Sequence, residues 1–268
     1  MSGYAAAYAY LEVKCEAGLA VVTLNHPERH NTFFEPDHGE MSRIIGDLAA
    51  DQDVRAILVQ AAGPVFSAGG APEYIRSLID DPVKRARAHE EVRREIHSLV
   101  SLDKPLVVAV TGAANGAALA IALLADVVVA ERQVRFREPH VLLGLAAGDH
   151  AVLAWPAAMG LIKAKRYLLT GDSLSADEAE SLGLVTEVVA EGDGIRRARI
   201  YAERFAAAPK EAVQATKSAL QVVLRRRLAA YDLSLGAEIL SLTSGVTREA
   251  LRRLEAGEPG LMTRAGHQ

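Results

Sequence analysis

The sequence predicts an α/β protein whose strands pair in parallel, and two observations support this prediction. Several short runs are continuously apolar and rich in valine, which is the pattern of strands covered on both faces. Between these runs, apolar residues recur with the period of a helix. Strands that alternate with helices are typical of parallel sheets.

The elements follow in chain order. Strands are predicted at 19–24, 56–60, 106–110, 127–130 and 185–189. Two helices are predicted from apolar stripes, which are Met41, Ile44, Ile45 and Leu48, and then Val92, Ile96, Leu99 and Val100. From about residue 195 the strand signal is lost, and helices are predicted at 195–207, 211–228 and 230–242, before a tail from Glu255 that we expect to be frayed. This change predicts a core at 1–200 and a helical region at 201–268 that closes the core, forms a subunit interface, or does both.

Composition excludes several classes of protein. A chain of 268 residues can bury a sizeable core, and 50% hydrophobic with 24% charged residues excludes disorder. The net charge of -4 gives no general attraction to nucleic acid or to an anionic membrane. Cys15 is the single cysteine, so an intrachain disulfide is excluded. Residues 1–10 do not resemble a signal peptide, and the run 117–125 is shorter than the ~18 residues of a membrane span, so we expect a soluble, cytoplasmic protein.

Two glycine-bearing segments follow predicted strands and are candidates for ligand binding. They are 66–70 (FSAGG) and 112–118 (GAANGAA), the second of which leads into an apolar helix. Glycine lets a ligand approach the backbone N–H groups, and two such donors that converge on one point form an oxyanion hole. Each segment could instead be only a tight turn, since neither matches a dinucleotide or Walker pattern.

Taken together, several segments resemble one known family. They are Asn25-His26-Pro27, FSAGG at 66–70, Lys104-Pro105 before the strand 106–110, the segment 112–118, LLTG at 168–171 and GLV at 183–185. In this order and spacing, residues 10 to 225 resemble the crotonase superfamily, the enoyl-CoA hydratase/isomerase proteins.

This resemblance implies a crotonase-like spiral of β-β-α turns with a helical C-terminal region, assembled as a homotrimer or homohexamer. It implies acyl-CoA chemistry of the kind used in fatty acid metabolism, in which the N–H groups of Gly70 and Ala117 hold the substrate carbonyl, with Ala68 and Gly116 beside it. The family usually has glycine at position 117. Alanine still supplies the N–H group if its backbone conformation suits an L-residue.

The sequence departs from the hydratases of this family at both catalytic glutamates. The resemblance aligns these positions with Ala120 and His140, so hydration by paired carboxylates is not expected. His140 could act as the base, because histidine titrates near neutral pH, and Asp149 could orient it. Alternatively, His140 is a core histidine bonded to a carbonyl group and Asp149 caps the helix that follows it.

Residues 139–160 and 231–236 resemble a branch of the family that includes 6-oxocamphor hydrolase, which cleaves a C–C bond of cyclic β-diketones. The resemblance matches His140 and Asp149 to its His–Asp pair, and His38 to a further histidine near the substrate. The hydrolase has another histidine where this chain has Ala117, so the match is partial.

Coenzyme A is expected only as part of the substrate. Glu73 stands where the family often has lysine, and a carboxylate there disfavours a polyphosphate, while Arg29 or Lys217 could contact phosphate. Three functions remain open: an acyl-CoA enzyme of the lyase or isomerase type, a β-diketone C–C hydrolase acting on a free ketone, and a non-catalytic acyl-CoA binding protein. No cofactor, metal site, nucleic acid or membrane partner is expected.

Overall fold

A six-stranded sheet forms the centre of the computed structural model, which describes residue 4 and residues 7–258. In spatial order its strands are β1 (Leu11–Glu16), β2 (Leu19–Leu24), β3 (Ala56–Ala61), β4 (Leu106–Val110), β6 (Val127–Glu131) and β9 (Glu187–Val189). Strand β1 is antiparallel to β2, and all other neighbours are parallel. The predicted α/β class and the parallel pairing are confirmed.

Helices cover both faces of this sheet, which explains why its central strands are mostly apolar. On one face, helix α8 (Gly194–Ala207) packs Ala198 and Ala202 against alternate strand residues such as Leu58. On the other face, Ile57 and its equivalents pack into the core with α1 (Glu35–Ala50) and α3 (Pro82–Ser101). Successive strand residues therefore point into two different apolar clusters.

A second, small sheet lies beside the ends of the main strands. It consists of β5 (Ala114–Asn115), β7 (Arg135–Arg137) and β8 (Leu174–Ser175), with β5 parallel and β8 antiparallel to β7. Two parallel bridges, Phe33 to Gly70 and Ser67 to Ala114, continue the same layer. Thus β3, β4 and β6 are each followed by a short extended segment of the second layer, which is the repeat expected of a β-β-α spiral.

The remaining helices are α2 (Pro72–Asp80), α4 (Ala118–Leu123), α5 (Ala151–Met159), α6 (Leu161–Thr170), α7 (Ala176–Ser181), α9 (Lys210–Arg225), α10 (Leu228–Ser241) and α11 (Gly245–Glu255). The boundary predicted at 200/201 falls within α8, and the division into core and helical region stays a prediction. The tail predicted to be frayed begins at the end of α11, and residues 259–268 lie outside the described residues. Of the helices described, none has both the length and the apolar character needed to cross a bilayer.

Lys217, which we expected as a possible phosphate contact, is buried in the core instead. Its ammonium group donates hydrogen bonds to the Lys104 carbonyl at 2.7 Å and to the Asp126 carboxylate at 2.6 Å. The same carboxylate oxygen accepts from the backbone N–H of Leu106 at 2.7 Å. Lys217 therefore joins α9 to the start of β4 and is not available to a ligand.

We expect Lys217→Ala to lower the free energy of unfolding by ~3 kcal/mol, because Asp126 would lose its cationic partner. This value is at the lower end of the range for buried pairs, since the Asp126 side chain keeps 27% exposure to water. Urea unfolding measures the change. The control is Lys210→Ala on the same helix, whose side chain makes only an exposed 3.4 Å contact and should cost less than ~0.5 kcal/mol. Equal, small effects of both changes would contradict the prediction.

Candidate active site

A cavity of about 840 Å³ opens between the turns of the second sheet and helices α2, α10 and α11. Seven of the eight residues predicted for the site line it, namely Ala68, Gly70, Gly116, Ala117, His38, His140 and Asp149. Most of the remaining wall is apolar, with side chains such as Phe33, Val92 and Leu242. The cavity therefore combines an apolar interior with a small number of polar groups, as small-molecule sites do.

The two glycine-bearing segments lie side by side in this wall. The backbone N–H of Ser67 donates to the Ala113 carbonyl at 3.1 Å, and Asn115 donates back to Ser67 at 3.2 Å. Gly69 has φ +88°, and a Cβ atom there would lie 3.0 Å from the Asn115 carbonyl oxygen. Glycine at this position thus allows both the left-handed backbone and the close approach of the two segments.

Among the described residues, the N–H groups of Gly70 and Ala117 are free, whereas those of Gly69, Ala71 and Gly116 are occupied. Gly69 donates to the Ser67 hydroxyl, Ala71 to the Phe33 carbonyl, and Gly116 to the Arg137 carbonyl. Within residues 7–258, neither Gly70 nor Ala117 has an acceptor for its N–H group. Ala117 has φ -51° and ψ -32°, an ordinary conformation for an L-residue. Both groups can therefore donate to a ligand in the cavity.

His140 begins a 3-10 turn, His140–Leu143, which is separated from β7 by two residues. Its Nδ1 atom is hydrogen-bonded to Oε1 of Glu138, and that oxygen also accepts from the His140 backbone N–H at 3.3 Å. Its Nε2 atom lies 3.5 Å from Oε1 of Glu238 on α10. Because a carboxylate can only accept, Nδ1 carries a proton, and Nε2 is the nitrogen left for chemistry.

Asp149 differs from our expectation that it orients His140. Its Oδ1 atom accepts from the neighbouring His150, from the backbone N–H at 2.8 Å and from the ring Nδ1 at 2.7 Å. It lies within 4.8 Å of the ligand atoms of Glu138 and His140, and among the described residues its side chain has no direct hydrogen bond to His140. Asp149 is not the cap of α5 either, since that position belongs to His150. The direct partner of the His140 ring is Glu138.

The buried charges strongly influence each other. Burial by itself lowers the pKa of His140, but the Glu138, Asp149 and Glu238 carboxylates raise it well above its usual range. Burial raises the pKa of Glu238, and the nearby His140 offsets only part of that rise. Burial also raises the pKa of Asp149, yet His150 and His140 together hold it well below its ordinary value. His140 and Asp149 are therefore stabilised in their charged forms.

Sequence reasoning missed Glu138, His150 and Glu238. Glu138 is two residues from His140, and His150 directly follows Asp149. Their closeness in sequence to the candidate base and its candidate partner could have indicated them. Glu238 comes from α10, and no local pattern links it to His140. Glu238 also accepts a hydrogen bond from the Gly148 N–H at 3.2 Å, which holds it near the candidate base.

The two other predicted side chains differ from each other in position, since His38 lines the cavity and Arg29 does not. His38 lies in the cavity wall, and its Nδ1 atom is 2.9 Å from Oε2 of Glu91 on α3. Arg29 is not one of the lining residues. Its guanidinium group pairs with Asp37 at 2.7 Å and lies over the Phe34 ring, 4.7 Å from the centroid. Arg29 thus joins the first loop to α1, in place of the expected substrate contact.

Glu138, His140 and Asp149 also have ligand atoms close enough to share a cation, within 4.8 Å of one another. Each of the three is already hydrogen-bonded to an imidazole or carboxylate neighbour, which accounts for their charges. We therefore assign them to a hydrogen-bonded network. The expectation of no metal stays a prediction.

Comparisons with known proteins agree with the fold. The family model for enoyl-CoA hydratase/isomerase matches residues 14–247. A probable enoyl-CoA hydratase of Mycobacterium avium is 32% identical over 209 residues, which cover 78% of this chain and 80% of that protein. A solved enoyl-CoA hydratase/isomerase from Mycobacterium paratuberculosis has a TM-score of 0.88 at 32% identity, covering 91% of this chain and 98% of the other. A β-diketone hydrolase from Anabaena has a TM-score of 0.84 at 24% identity, with 91% and 98% coverage, and shares the fold. The chain belongs to the enoyl-CoA hydratase/isomerase family.

Proposed function

We propose that this protein is an enzyme that stabilises the enolate or oxyanion of an acyl-CoA thioester and transfers a proton through His140. The observation that carries the proposal is the pair of free N–H groups, at Gly70 and Ala117, in the same cavity as an imidazole. A substrate carbonyl oxygen would accept from both N–H groups. Each donor of such a pair contributes ~2.7–4 kcal/mol to transition-state stabilisation.

In this mechanism Nε2 of His140 takes a proton from the carbon next to the carbonyl group. The electrons of the C–H bond move into the enolate, whose negative oxygen is held by the two N–H groups. Glu138 keeps the proton on Nδ1 and stabilises the imidazolium that forms. His140 can return the proton to another carbon, which shifts a double bond and leaves the overall composition of the substrate unchanged.

Isomerisation fits the site better than hydration does. Hydration by the paired carboxylates of the family needs a second acid–base group at position 120. Ala120 is buried in α4, 4% exposed, and its methyl group can neither donate nor accept a proton. A single proton-transferring group suffices for isomerisation, so we place hydratase activity second among the thioester reactions.

Charge at the cavity mouth favours a second candidate, a hydrolase that cleaves a C–C bond of a β-diketone without coenzyme A. Asp172 and Glu258 line the cavity, and Arg137 is its only lysine or arginine among the described lining residues. Two carboxylates disfavour the polyphosphate of coenzyme A. In this reaction His140 would remove a proton from water, and the hydroxide would attack one carbonyl carbon. The C–C bond would then break to give a carboxylic acid and an enolate, which would take the proton back from His140 at carbon to form the ketone.

Three substrates separate the candidates in one set of assays. We expect a 3-enoyl-CoA to be converted to the conjugated 2-enoyl-CoA, with a rise in the absorbance of the α,β-unsaturated thioester, and crotonyl-CoA to be hydrated slowly or not at all. Turnover of a bicyclic β-diketone without coenzyme A would favour the hydrolase instead. Tight binding of acyl-CoA without turnover, unchanged in His140→Ala, would identify a binding protein and contradict the proposal.

A further inference from the structure

Behind His140 lies a second layer of buried ionisable side chains that does not touch the cavity directly. His150 is fully buried, at 0% exposure, and Glu138 is 1% exposed. Neither lines the cavity, although both adjoin residues that do. Fully buried ionisable groups are costly unless they are paired, so this layer requires an explanation.

One atom of each residue lacks a partner in the present arrangement. Oε1 of Glu138 is occupied by His140, whereas its Oε2 has no hydrogen bond within the described residues. The same holds for Nε2 of His150. These two atoms lie 3.6 Å apart and face each other. Two bare acceptors in this position would repel each other and leave both groups unsatisfied, so a proton belongs between them.

The contact of the other ring nitrogen, Nδ1, with Asp149 helps to identify which residue holds that proton. Nδ1 lies 2.7 Å from Oδ1 of Asp149 and must donate, because a carboxylate only accepts. Burial lowers the pKa of His150, but Asp149 and Glu138 raise it above its ordinary value. The two carboxylates therefore favour the imidazolium form of His150, which carries a proton on both nitrogens, one facing Asp149 and the other facing Glu138.

We propose that His150 is a positioning residue for the reaction, whose protonated Nε2 forms an ion pair with Oε2 of Glu138 across 3.6 Å and so fixes Glu138 against the ring of His140. Asp149, His150, Glu138 and His140 then alternate as acceptor and donor in one buried chain that ends at the cavity. The inference rests on the proposed function in one respect, that His140 transfers the proton.

The charge of His150 has a second consequence for His140. The other ionisable groups around this layer are Glu95 on α3, Glu238 and Tyr231 on α10, and the carboxylates of Glu138 and Asp149. Burial raises the pKa of Glu95 to about 7. Each of the two imidazolium groups disfavours the charge of the other, so His150 offsets part of the effect of the carboxylates on His140. Without it, His140 would hold its proton more tightly.

Two substitutions separate the two contacts of His150. His150→Gln can place an amide N–H where Nε2 was, which keeps the donor to Glu138 and removes the charge. His150→Asn is shorter and can reach only Asp149. With ring ¹⁵N-labelled histidine, NMR measures the tautomer and the titration of His140 in each variant, and steady-state kinetics measure kcat and KM against pH.

In His150→Gln we expect His140 to keep its Nδ1 proton and to titrate at least about one pH unit higher, with the acid limb of the kcat profile moving by the same amount. In His150→Asn we expect the tautomer preference to be lost and kcat to fall at least ~10-fold, with KM nearly unchanged. His89→Gln on α3 is the control and should change neither. Thermal unfolding checks the fold, and if the Asn variant is unfolded the titration in the Gln variant still decides.

The inference is overturned if the titration of His140 in the Gln variant matches that of the wild type, if His140 keeps its tautomer preference in a folded Asn variant, or if both variants lose activity only in proportion to lost stability. The proposed function fails separately, through undiminished turnover in His140→Ala. The NMR measurement needs no substrate, so it tests the role of His150 in either case.

Discussion

Replacement of His140 with alanine is expected to lower kcat ~10²–10⁴-fold, the usual contribution of a positioned general base. KM should change little, because the N–H groups of Gly70 and Ala117 and the apolar cavity wall would remain. The measurement is kcat and KM for whichever 3-enoyl-CoA or β-diketone the wild-type protein converts. His89→Ala is the matched control, since His89 is a partly exposed histidine on α3 outside the cavity. A kcat within twofold of wild type would show that another group transfers the proton.

The pH dependence of the wild-type protein supplies an independent check. His140 acts as a base only when Nε2 is free of a proton, and its pKa is raised well above the ordinary imidazole value. Activity should therefore increase with pH until the pH passes this raised pKa, with an acid limb above pH ~6.5. The contribution of His140 to stability changes with pH in the opposite direction. The paired imidazolium stabilises the fold fully below the unfolded pKa of ~6.5, and that contribution is lost as the pH rises through the folded pKa.

The main sheet was predictable because its strands carry the signal in their own residues. β3 and β4 are covered by helices on both faces, so every position except Gln60 is apolar. The short strands β5, β7 and β8 contain two or three residues each, and their pairing is determined by contacts with distant segments. No local pattern could specify them. Helix α11 was also missed, and it contributes Ala250 and Leu254 to the cavity wall.

In the candidate site too, some residues were predictable from the sequence and some contacts were not. The glycine-bearing segments and the family resemblance together led to Gly70 and Ala117, because the backbone N–H groups at these positions do not depend on side-chain direction. The direct partner of the His140 ring is Glu138 and not the expected Asp149, for a physical reason. Spacing placed Asp149 near His140, but the adjacent His150 takes its carboxylate at 2.7 Å. The spacing of residues in a sequence does not determine which of two neighbouring imidazoles a carboxylate contacts, because that choice depends on side-chain geometry.

Gly148→Ala is expected to disturb both stability and activity, because Gly148 separates the Asp149 loop from α10. A Cβ atom on Gly148 would lie 2.2 Å from the Ser234 carbonyl oxygen and 2.7 Å from Cβ of Glu238. Both atoms belong to α10, which is fixed to the loop by the Ser234 hydroxyl donating to the Gly148 carbonyl at 2.9 Å. Backbone cannot move aside as a flexible side chain can, so α10 must shift. Such overpacking costs ~1–3 kcal/mol of unfolding free energy.

The shift would act directly on the reaction, since α10 carries Glu238 to within 3.5 Å of Nε2 of His140. A displacement of ~1 Å can reduce kcat by ~10²-fold, and we expect a loss of that order, measured together with urea unfolding. Gly236→Ala provides the control on the same helix, because a Cβ atom there meets no atom within 4 Å. It should raise stability by ~0.5–1 kcal/mol and leave kcat unchanged. If Gly148→Ala behaved like Gly236→Ala, α10 could not be packed against the loop as closely as the 2.2 Å approach requires. The position of Glu238 would then have to be set by something other than this contact.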